Sequence, residues 1–174
     1  MSKLLVVSDS HGDDQILTAL AKRYAGEVDV LIHAGDSEFY PRNPLIADFQ
    51  IVVGNMDYGT DFPVSINLDL PEARVFVTHG HKYNVNFGLN TIYLAGREQD
   101  ADIIIYGHTH QLLTMIDYGV LIVNPGSISL PRGEYARIGG TYAIIDVAAD
   151  SFRVQYYTRE FKLVEELSFE FPRL

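Results

Sequence analysis

Five short stretches of this chain contain histidine, aspartate or asparagine, in most cases next to a glycine. The stretches are Asp9-Ser-His11, Gly35-Asp36, Gly54-Asn55, His79-Gly-His81 and Gly107-His-Thr-His110. Residues i and i+2 of an extended segment point the same way, so the Asp-x-His and His-x-His pairs can each present two ligands to one side. Imidazole with carboxylate suits Mn, Fe, Co, Ni or Zn better than Mg or Ca, which prefer oxygen ligands. The pattern therefore predicts a site for a divalent transition metal.

Two of these residues are candidates for a ligand shared between two cations. A carboxylate has two oxygens and can join two ions, whereas an amide oxygen or an imidazole usually serves one. Asp9 and Asp36 both qualify, and the spacing alone does not choose between them.

Chance is the competing explanation for each motif, since turns favour Gly and Asp for conformational reasons. Five of the six histidines nevertheless lie in these clusters, and coincidence across so many loops is improbable. The sixth, His33, lies inside an apolar run, and we predict a buried structural role for it.

Each cluster directly follows a segment that we predict to be a β-strand. The strands are expected within residues 3–8, 28–33, 50–53, 74–78 and 102–106. In open α/β sheets, ligands bind beyond the carboxyl ends of the strands. Five distant stretches of sequence can therefore converge on one cleft.

The other segments complete what we predict to be a single domain of residues 1–174. Helices are predicted from Asp13 to Arg23 and over 89–99. Hairpins are predicted from 112–116 with 120–123 and from 141–147 with 152–158, and an edge strand within 161–171. The strand–helix–strand order of the first half predicts a parallel core, whereas the second half is expected to be mainly antiparallel.

The composition excludes several classes of function. Hydrophobic residues make up 47% and charged residues 21%, which is typical of a globular protein. A formal charge of -10 repels nucleic-acid backbones and anionic lipid, so neither long nucleic acid nor a membrane is expected as a partner. The chain has no cysteine, which excludes disulfides, thiolate catalysis and cysteine-bound metals.

The N-terminus bears on location. The apolar run after Met1-Ser2-Lys3 is too short for a signal peptide, which predicts a cytoplasmic protein. Assembly into a homo-oligomer is left open by the sequence.

These loops, in this order, closely resemble the calcineurin-like metallophosphoesterase superfamily, whose pattern runs D-x-H, G-D, G-N-x-[ED], a histidine before glycine, and G-H-x-H. The third motif reads Gly54-Asn-Met-Asp57 here, and the matches span residues 9 to 110. The short chain, Asn124-Pro-Gly-Ser127 and Pro131-Arg132 are similar to the small YfcE-type phosphodiesterases. The resemblance implies an α/β (α+β) fold, with two mixed β-sheets packed as a sandwich and flanked by helices.

The resemblance also implies a binuclear centre in which Asp36 is the bridging ligand. One metal would be bound by Asp9, His11, Asp36 and His110, and the other by Asp36, Asn55, His79 and His108. A hydroxide between the metals, positioned by Asp36, Asn55 and His79, would attack the phosphorus of a small phosphate ester, more readily a diester than a monoester. Mn is the expected metal, with Ni, Fe, Co or Zn as alternatives.

One departure from the family pattern concerns the leaving group. Many relatives carry a histidine directly after Gly-Asn that is thought to protonate the leaving group, but here the position is Met56, which cannot donate a proton. Asp57 and His81 are candidate replacements, and a structural role is an equally good interpretation of each.

The candidates for substrate binding are Asn55, Ser127 and Arg132. Ser127 ends a loop whose backbone N–H groups could meet phosphate, although an ordinary turn explains that loop almost as well. Arg132 is equally consistent with a solvated surface charge.

A protein-assembly scaffold is the rival function from another class. The retromer scaffold subunit resembles these phosphoesterases, so the fold alone does not settle the function. A scaffold is free to lose metal ligands, whereas this chain keeps all seven, and the enzyme is therefore favoured. A nuclease of the same superfamily is disfavoured by the charge of -10 and the absence of a basic tract.

Overall fold

The computed structural model describes residues 1–173, within which eleven β-strands, two α-helices and three short 3-10 turns are formed. The strands are β1 (Ser2–Val7), β2 (Val30–His33), β3 (Phe49–Ile51), β4 (Ser65–Asp69), β5 (Arg74–Thr78), β6 (Ile103–Ile105), β7 (Leu113–Asp117), β8 (Val120–Asn124), β9 (Thr141–Val147), β10 (Ser151–Thr158) and β11 (Leu163–Pro172). The α-helices are α1 (Asp14–Arg23) and α2 (Asn90–Glu98), and the 3-10 turns are Pro44–Ile46, His81–Tyr83 and Ala136–Ile138.

The first sheet has six strands in the order β11-β10-β9-β1-β2-β3. β1, β2 and β3 pair in parallel, whereas β9 pairs antiparallel with both β1 and β10. The predicted parallel core and the β9–β10 hairpin are confirmed, and β11 is the predicted edge strand. The carboxyl ends of β1, β2 and β3 therefore lie side by side, directly before the first three ligand clusters.

The second sheet has five strands in the order β4-β5-β6-β8-β7. The β7–β8 hairpin is antiparallel as predicted. The expectation of mainly antiparallel pairing is wrong for β5, β6 and β8, which are parallel neighbours. Helix α2 lies between β5 and β6 in sequence and serves as the long crossover that their parallel pairing requires, while β7 lies in the connection between β6 and β8. Strand β4 was not predicted; it is an edge strand in which only Ile66 and Leu68 pack towards the core.

The two sheets pack face to face around a shared apolar core. Val6 and Ile32 of the first sheet belong to the same buried cluster as Val77, Ile105 and Val123 of the second. This arrangement confirms the predicted sandwich of two mixed sheets.

The two helices cover the outer faces of the sandwich. Helix α1 packs Leu17 and Leu20 against Val7 of the first sheet, and α2 packs Ile92 against Ile104 of the second. Across residues 1–173, neither helix approaches the length and apolar character needed to traverse a bilayer.

The start of α1 fixes the loop that leaves β1. The Asp13 side chain caps the helix by accepting the Ile16 N–H at 3.2 Å, and Asp14 lies in the first turn while Lys22 and Arg23 lie in the last. Both placements suit the helix dipole. The cap is two residues beyond His11, so helix formation also restricts where that histidine can lie.

Candidate metal centre

The loops that follow β1, β2, β3, β5 and β6 meet at one end of the sandwich. Backbone hydrogen bonds join them: the Asp9 N–H donates to the Gly35 carbonyl at 3.0 Å, and the His11 N–H donates to the Asp36 carbonyl at 3.0 Å. The Gly107 N–H donates to the His79 carbonyl at 3.1 Å. The loops therefore form one connected platform for their side chains.

Asp9, His11 and His110 form the first group of potential metal ligands. Their ligand atoms all lie within 4.8 Å of one another. His110 Nε2 is 3.1 Å from Asp9 Oδ1 and 3.3 Å from His11 Nε2. Asp9 is buried and His110 nearly so, which places this group at the base of the site.

Asp9, Asp36 and His79 form a second group by the same distance criterion. His79 Nε2 is 3.3 Å from Asp36 Oδ2, 3.9 Å from Asp9 Oδ1 and 3.2 Å from Asn55 Oδ1. The His108 ring lies beside it, with its centroid 5.2 Å from that of His79. The structure thus brings together all seven residues that the sequence singled out as ligands.

The two central carboxylates, Asp9 and Asp36, each use one oxygen for hydrogen bonds to the protein and leave the other free. Asp9 Oδ2 accepts from Ser8 Oγ at 2.5 Å and from the His108 N–H at 3.1 Å, while Asp36 Oδ1 accepts the Met56 N–H at 2.7 Å. The free oxygens are Asp9 Oδ1 and Asp36 Oδ2. Asp9 belongs to both distance groups, whereas the family resemblance gives the shared position to Asp36.

Hydrogen bonds on the far side of two rings fix which nitrogen carries the proton. His79 Nδ1 lies 2.7 Å from the Ala34 carbonyl, and His110 Nδ1 lies 2.8 Å from the Leu130 carbonyl. A carbonyl oxygen only accepts, so Nδ1 is the donor in both rings. In the neutral imidazole, Nε2 is then a bare lone pair directed at the carboxylates, as in metal-binding histidines.

Lone pairs of Asp9 and His110 that face each other show whether the site fits a cation. Asp9 Oδ1 is buried and, within the described residues, accepts no hydrogen bond, although His110 Nε2 is only 3.1 Å away. The two statements agree when His110 is neutral, because that nitrogen then carries no hydrogen. Carboxylate oxygens and ring nitrogens that converge in this way repel one another unless a cation lies between them. The donor set fits divalent Mn, Fe, Co, Ni or Zn.

The pKa values of the cluster show the same preference for positive charge. Burial disfavours the charged form of His79, but the hydrogen bond that the protonated ring would donate to Asp36 and the charges of Asp9 and Asp36 outweigh it and raise the pKa of His79. Burial likewise opposes the charged form of His110, and Asp9 raises its pKa. Burial acts to raise the pKa of Asp36, yet His79 and the Met56 N–H lower it. The cluster stabilises positive charge at its centre.

The backbone of the cluster is unusual. Asp9, His11, Asp36, His108 and His110 have φ of 54°, 46°, 53°, 67° and 59°, all in the left-handed region. Such a conformation costs on the order of 1–3 kcal/mol for a residue other than glycine and persists where the surrounding structure enforces it. Strained backbone at converging polar side chains is typical of functional sites.

Two glycines allow the loops to approach the carboxylates. A Cβ at Gly54 would lie 2.0 Å from Asp36 Oδ1, and one at Gly107 would lie 2.0 Å from Ser8 Oγ and 2.7 Å from Asp9 Oδ2. No side chain fits at either position, so packing requires the glycine of the Gly-Asn motif and the glycine of the Gly-His motif.

Asp57 organises the site from beneath it. Its Oδ2 accepts the Asp36 and Gly54 N–H groups at 2.9 and 2.7 Å, and its Oδ1 accepts the Glu38 N–H and the Ser37 hydroxyl at 2.7 and 3.2 Å. Each oxygen of this buried carboxylate accepts two hydrogen bonds from the loops that it joins. The structure therefore favours the structural interpretation of Asp57 over the proton-donor one.

Ser127 has a positioning role instead of a substrate-binding one. It is fully buried, and its hydroxyl donates to the Asp9 carbonyl at 2.8 Å and accepts the Leu130 N–H at 2.8 Å. The absence of exposed surface favours the ordinary-turn interpretation of this loop over contact with a substrate. Ser127 ties the loop after β8 to the loop after β1.

Arg132 and His81 lie at the edge of the cluster. Arg132 is exposed, and its backbone N–H donates to the His110 carbonyl at 2.9 Å. The positive charge of its side chain acts to lower the pKa of His110. The His81 ring centroid is 5.3 Å from that of His79 and 6.2 Å from that of His108, and burial lowers its pKa. Both remain candidates for contact with a substrate.

His33 is buried, as predicted. Its Nδ1 accepts the Gly35 N–H at 3.2 Å, so Nε2 donates to Ser10 Oγ at 2.9 Å. Burial lowers the pKa of His33 to about 4, and the ring is a neutral support for the loop that carries Asp36.

Sequence reasoning missed two residues that hold ligand-type histidines. Glu38 Oε1 lies 2.7 Å from His11 Nδ1, and Asn86 Nδ2 lies 3.1 Å from His108 Nε2. The carboxylate fixes the His11 ring so that Nε2 faces the cluster. The contact with His11 joins residues that are 27 positions apart, and no periodicity in the sequence indicates it.

Replacement of Glu38 by glutamine is expected to weaken Mn²⁺ binding by about 10–100-fold, as loss of a supporting hydrogen-bond partner does at other metal sites. Titration calorimetry on the folded variant measures this. Glu166→Gln, which removes the same charge from an exposed position on β11, serves as the matched control. Equal affinities of Glu38→Gln and Glu166→Gln would contradict the orienting role.

The fold and the cluster define a class of metal-dependent phosphoesterase, and comparison with known proteins gives the same class. The chain belongs to the calcineurin-like phosphoesterase superfamily, whose domain model matches residues 2–150. The first sheet therefore extends beyond the matched region through β10 and β11.

Relatives of similar length carry corresponding names. A probable metallophosphoesterase of Bacillus subtilis, YsnB, is 37% identical over 164 residues, covering 94% of this chain and 95% of its own. The Escherichia coli phosphodiesterase YfcE is 30% identical over 165 residues, covering 76% of this chain and 83% of its own. The resemblance to the YfcE-type proteins is confirmed.

Solved structures show the same fold. A conserved protein of Streptococcus pneumoniae, described as a predicted phosphoesterase, is 36% identical, covers 99% of this chain and 98% of its own, and superposes with a TM-score of 0.95. Vacuolar protein sorting 29 of Cryptosporidium parvum covers 99% of this chain and 98% of its own, with a TM-score of 0.74 and 16% identity. The latter likeness concerns the fold alone.

Proposed function

We propose that this chain is a phosphodiesterase that acts on a small phosphodiester with two divalent metal ions, Mn²⁺ being preferred. The observation that carries the proposal is the convergence of bare ring nitrogens and free carboxylate oxygens at one end of the sandwich. With Nδ1 donating to a carbonyl, the neutral rings of His79 and His110 direct their Nε2 lone pairs at Asp36 Oδ2 and Asp9 Oδ1, at 3.3 and 3.1 Å. Such a set needs positive charge to be stable.

The proposed ligands fall into two sets that share Asp36. Asp9, His11, Asp36 and His110 would hold one ion, and Asp36, Asn55, His79 and His108 the other. The distance groups support two neighbouring ions, since they place His11 and His79 in different groups, although the carboxylate common to both groups is Asp9 and not Asp36. Asp36 is supported as the shared ligand by its free Oδ2, which lies 3.3 Å from His79 Nε2, while a peptide N–H holds its other oxygen.

The side chains around the centre have separate tasks in this proposal. When bound, two divalent ions acidify a water and offset the charge of phosphate oxygens. Glu38, Ala34 and Leu130 hold the histidine rings in position through Nδ1. Arg132 contributes an exposed positive charge beside His110, which favours approach of a phosphate to a chain of net charge -10.

Hydrolysis of two p-nitrophenyl esters tests the proposal. With Mn²⁺ present, we expect bis(p-nitrophenyl) phosphate to react faster than p-nitrophenyl phosphate. The monoester carries nearly two negative charges at pH 7, since the second phosphate pKa is about 6, and the acidic chain repels it more. Faster reaction of the monoester would contradict the diester preference.

The shared carboxylate is tested by comparing Asp36→Asn with Asn55→Ala. Loss of the Asp36 charge weakens both proposed ion sites, whereas Asn55 supplies one neutral oxygen to one site. We expect Asp36→Asn to be less active than Asn55→Ala by about 10–100-fold, in the range of the effects that altered metal shells produce. Comparable rates at saturating Mn²⁺, with both variants folded, would argue that Asp36 is not shared.

A protein-assembly scaffold is the second candidate, and the fold shared with vacuolar protein sorting 29 is the observation that favours it. The seven ligand-type residues favour the enzyme. Absence of hydrolysis of both nitrophenyl esters with Mn²⁺ would decide for the scaffold.

A further inference from the structure

A cavity of about 200 Å³ opens beside the proposed metal centre, and we call it the tyrosine pocket. It is lined by Glu38, Phe39, Tyr40, Met56, Asp57, Tyr58 and Thr60. The side chains of Tyr40 and Tyr58 are unusually exposed, at 69% and 75%, and Met56 is exposed at 39%. Large apolar side chains that cluster on a surface mark a binding region more often than isolated ones do.

The tyrosine pocket shares its wall with the metal centre. Glu38, on one side, lies 2.7 Å from His11 Nδ1, and Met56, on the other, donates its N–H to Asp36 Oδ1 at 2.7 Å. A group seated in the pocket would therefore be next to any phosphate held at the centre.

The walls are fixed relative to the centre. Asp57 accepts N–H groups from Glu38 and from Gly54, which ties the two loops of the pocket together. Thr60 Oγ1 donates to the Asp57 carbonyl at 3.0 Å, and the Tyr58 N–H donates to the Met56 carbonyl at 2.9 Å. These bonds fix the backbone of the two loops that carry the tyrosines.

The chemistry of the lining selects the occupant. Tyrosine rings and a methionine thioether favour a flat aromatic group through stacking and sulfur contacts. The Glu38 carboxylate disfavours an anionic group and can accept from an N–H edge. The volume is below the roughly 300–1,000 Å³ of sites that enclose a whole drug-sized ligand, so it suits one ring system.

From these observations we infer that the tyrosine pocket binds the nucleobase of a phosphodiester substrate, an inference that rests on the proposed function. The substrate class is then a nucleotide-bearing diester whose base is planar, uncharged and provided with N–H donors. Within the described residues, neither tyrosine side chain is hydrogen-bonded to a proposed metal ligand, and in this inference both act as specificity residues.

Binding of adenosine 5′-monophosphate and ribose 5-phosphate to the Mn²⁺-loaded chain tests the inference, with calorimetry as the readout. The two ligands share the phosphate and the sugar and differ in the base. Stacking of a base on aromatic side chains predicts a roughly 5- to 150-fold tighter binding of the nucleotide. Equal affinities, or no binding of the nucleotide, would overturn the inference.

Variants test whether the tyrosine pocket causes the preference for the nucleotide over the sugar phosphate. Combined replacement Tyr40→Leu and Tyr58→Leu is expected to remove it, whereas Tyr40→Phe with Tyr58→Phe is expected to retain it. Tyr118→Leu is the control, since that tyrosine is 88% exposed in the turn between β7 and β8 and lines a different surface. A preference that survives the double leucine change would overturn the assignment. The binding readout does not require turnover: a nucleotide preference without any hydrolysis refutes the proposed function alone, and hydrolysis without a preference refutes the pocket alone.

Discussion

Chelation is expected to reduce hydrolysis of bis(p-nitrophenyl) phosphate to the uncatalysed rate, and added Mn²⁺ is expected to restore it more fully than Mg²⁺. The reason is the donor set: His11, His79 and His110 each have Nδ1 engaged elsewhere and direct Nε2 towards the same small volume. Mg²⁺ prefers oxygen ligands in an octahedral shell, whereas Mn²⁺ and its heavier neighbours accept imidazole.

The measurement is a rate assay on the chelated and dialysed chain, followed by titration with each metal. Circular dichroism on the same samples is the control, because a chelated chain that has unfolded would lose activity for another reason. Full activity after exhaustive chelation of a folded chain would refute the metal-dependent mechanism.

The second large effect is a steep dependence of the rate on the leaving group. Met56 occupies the position at which many family members carry a proton-donating histidine, and its thioether has no proton to give. Both oxygens of the buried Asp57 carboxylate are engaged in hydrogen bonds with the loops beneath the site, so it does not replace that donor. The departing oxygen must then leave as an anion or take its proton from elsewhere.

General acid catalysis typically contributes about 10²–10⁴-fold, and its absence acts most on poor leaving groups. We therefore expect the rate advantage of aryl diesters such as nitrophenyl esters over alkyl diesters of similar shape to be about 10²–10⁴-fold larger than in an enzyme with a general acid. A series of diesters with graded leaving-group pKa measures the slope, and Met56→His is the matched variant that should flatten it if the new ring reaches the leaving oxygen. A flat plot for the wild type, with chemistry rate-limiting, would mean that another residue donates the proton, and His81 would be the first to replace.

Much of the site could be predicted because its residues follow predictable strands. Asp9, Asp36 and His79 come directly after apolar runs, and parallel neighbours β1, β2 and β3 end at one edge of a sheet. Spacing along the chain was therefore enough to indicate convergence. The division of ligands between two ions came from the family resemblance alone.

The supporting residues could not be predicted, because their partners lie far away in sequence. Ser127 meets Asp9 across 118 positions, and Glu38 meets His11 across 27. Serine and glutamate in loops are common, and nothing local separates these from solvated ones. Parallel pairing of β5, β6 and β8 was missed for a similar reason, since strand order depends on packing between distant segments.

The left-handed backbone at five ligand-type positions has a consequence for how this chain can change over generations. Glycine at Asp9, His11, Asp36, His108 or His110 would relieve on the order of 1–3 kcal/mol of conformational strain at each position. Folded proteins have only about 5–15 kcal/mol of stability in total, so that relief is a substantial advantage to a lineage that has no use for the side chains. Under mutation and selection for stability alone, these five positions would be among the first to drift. A descendant that took up a purely structural role would be expected to lose its aspartates and histidines here before its core changed.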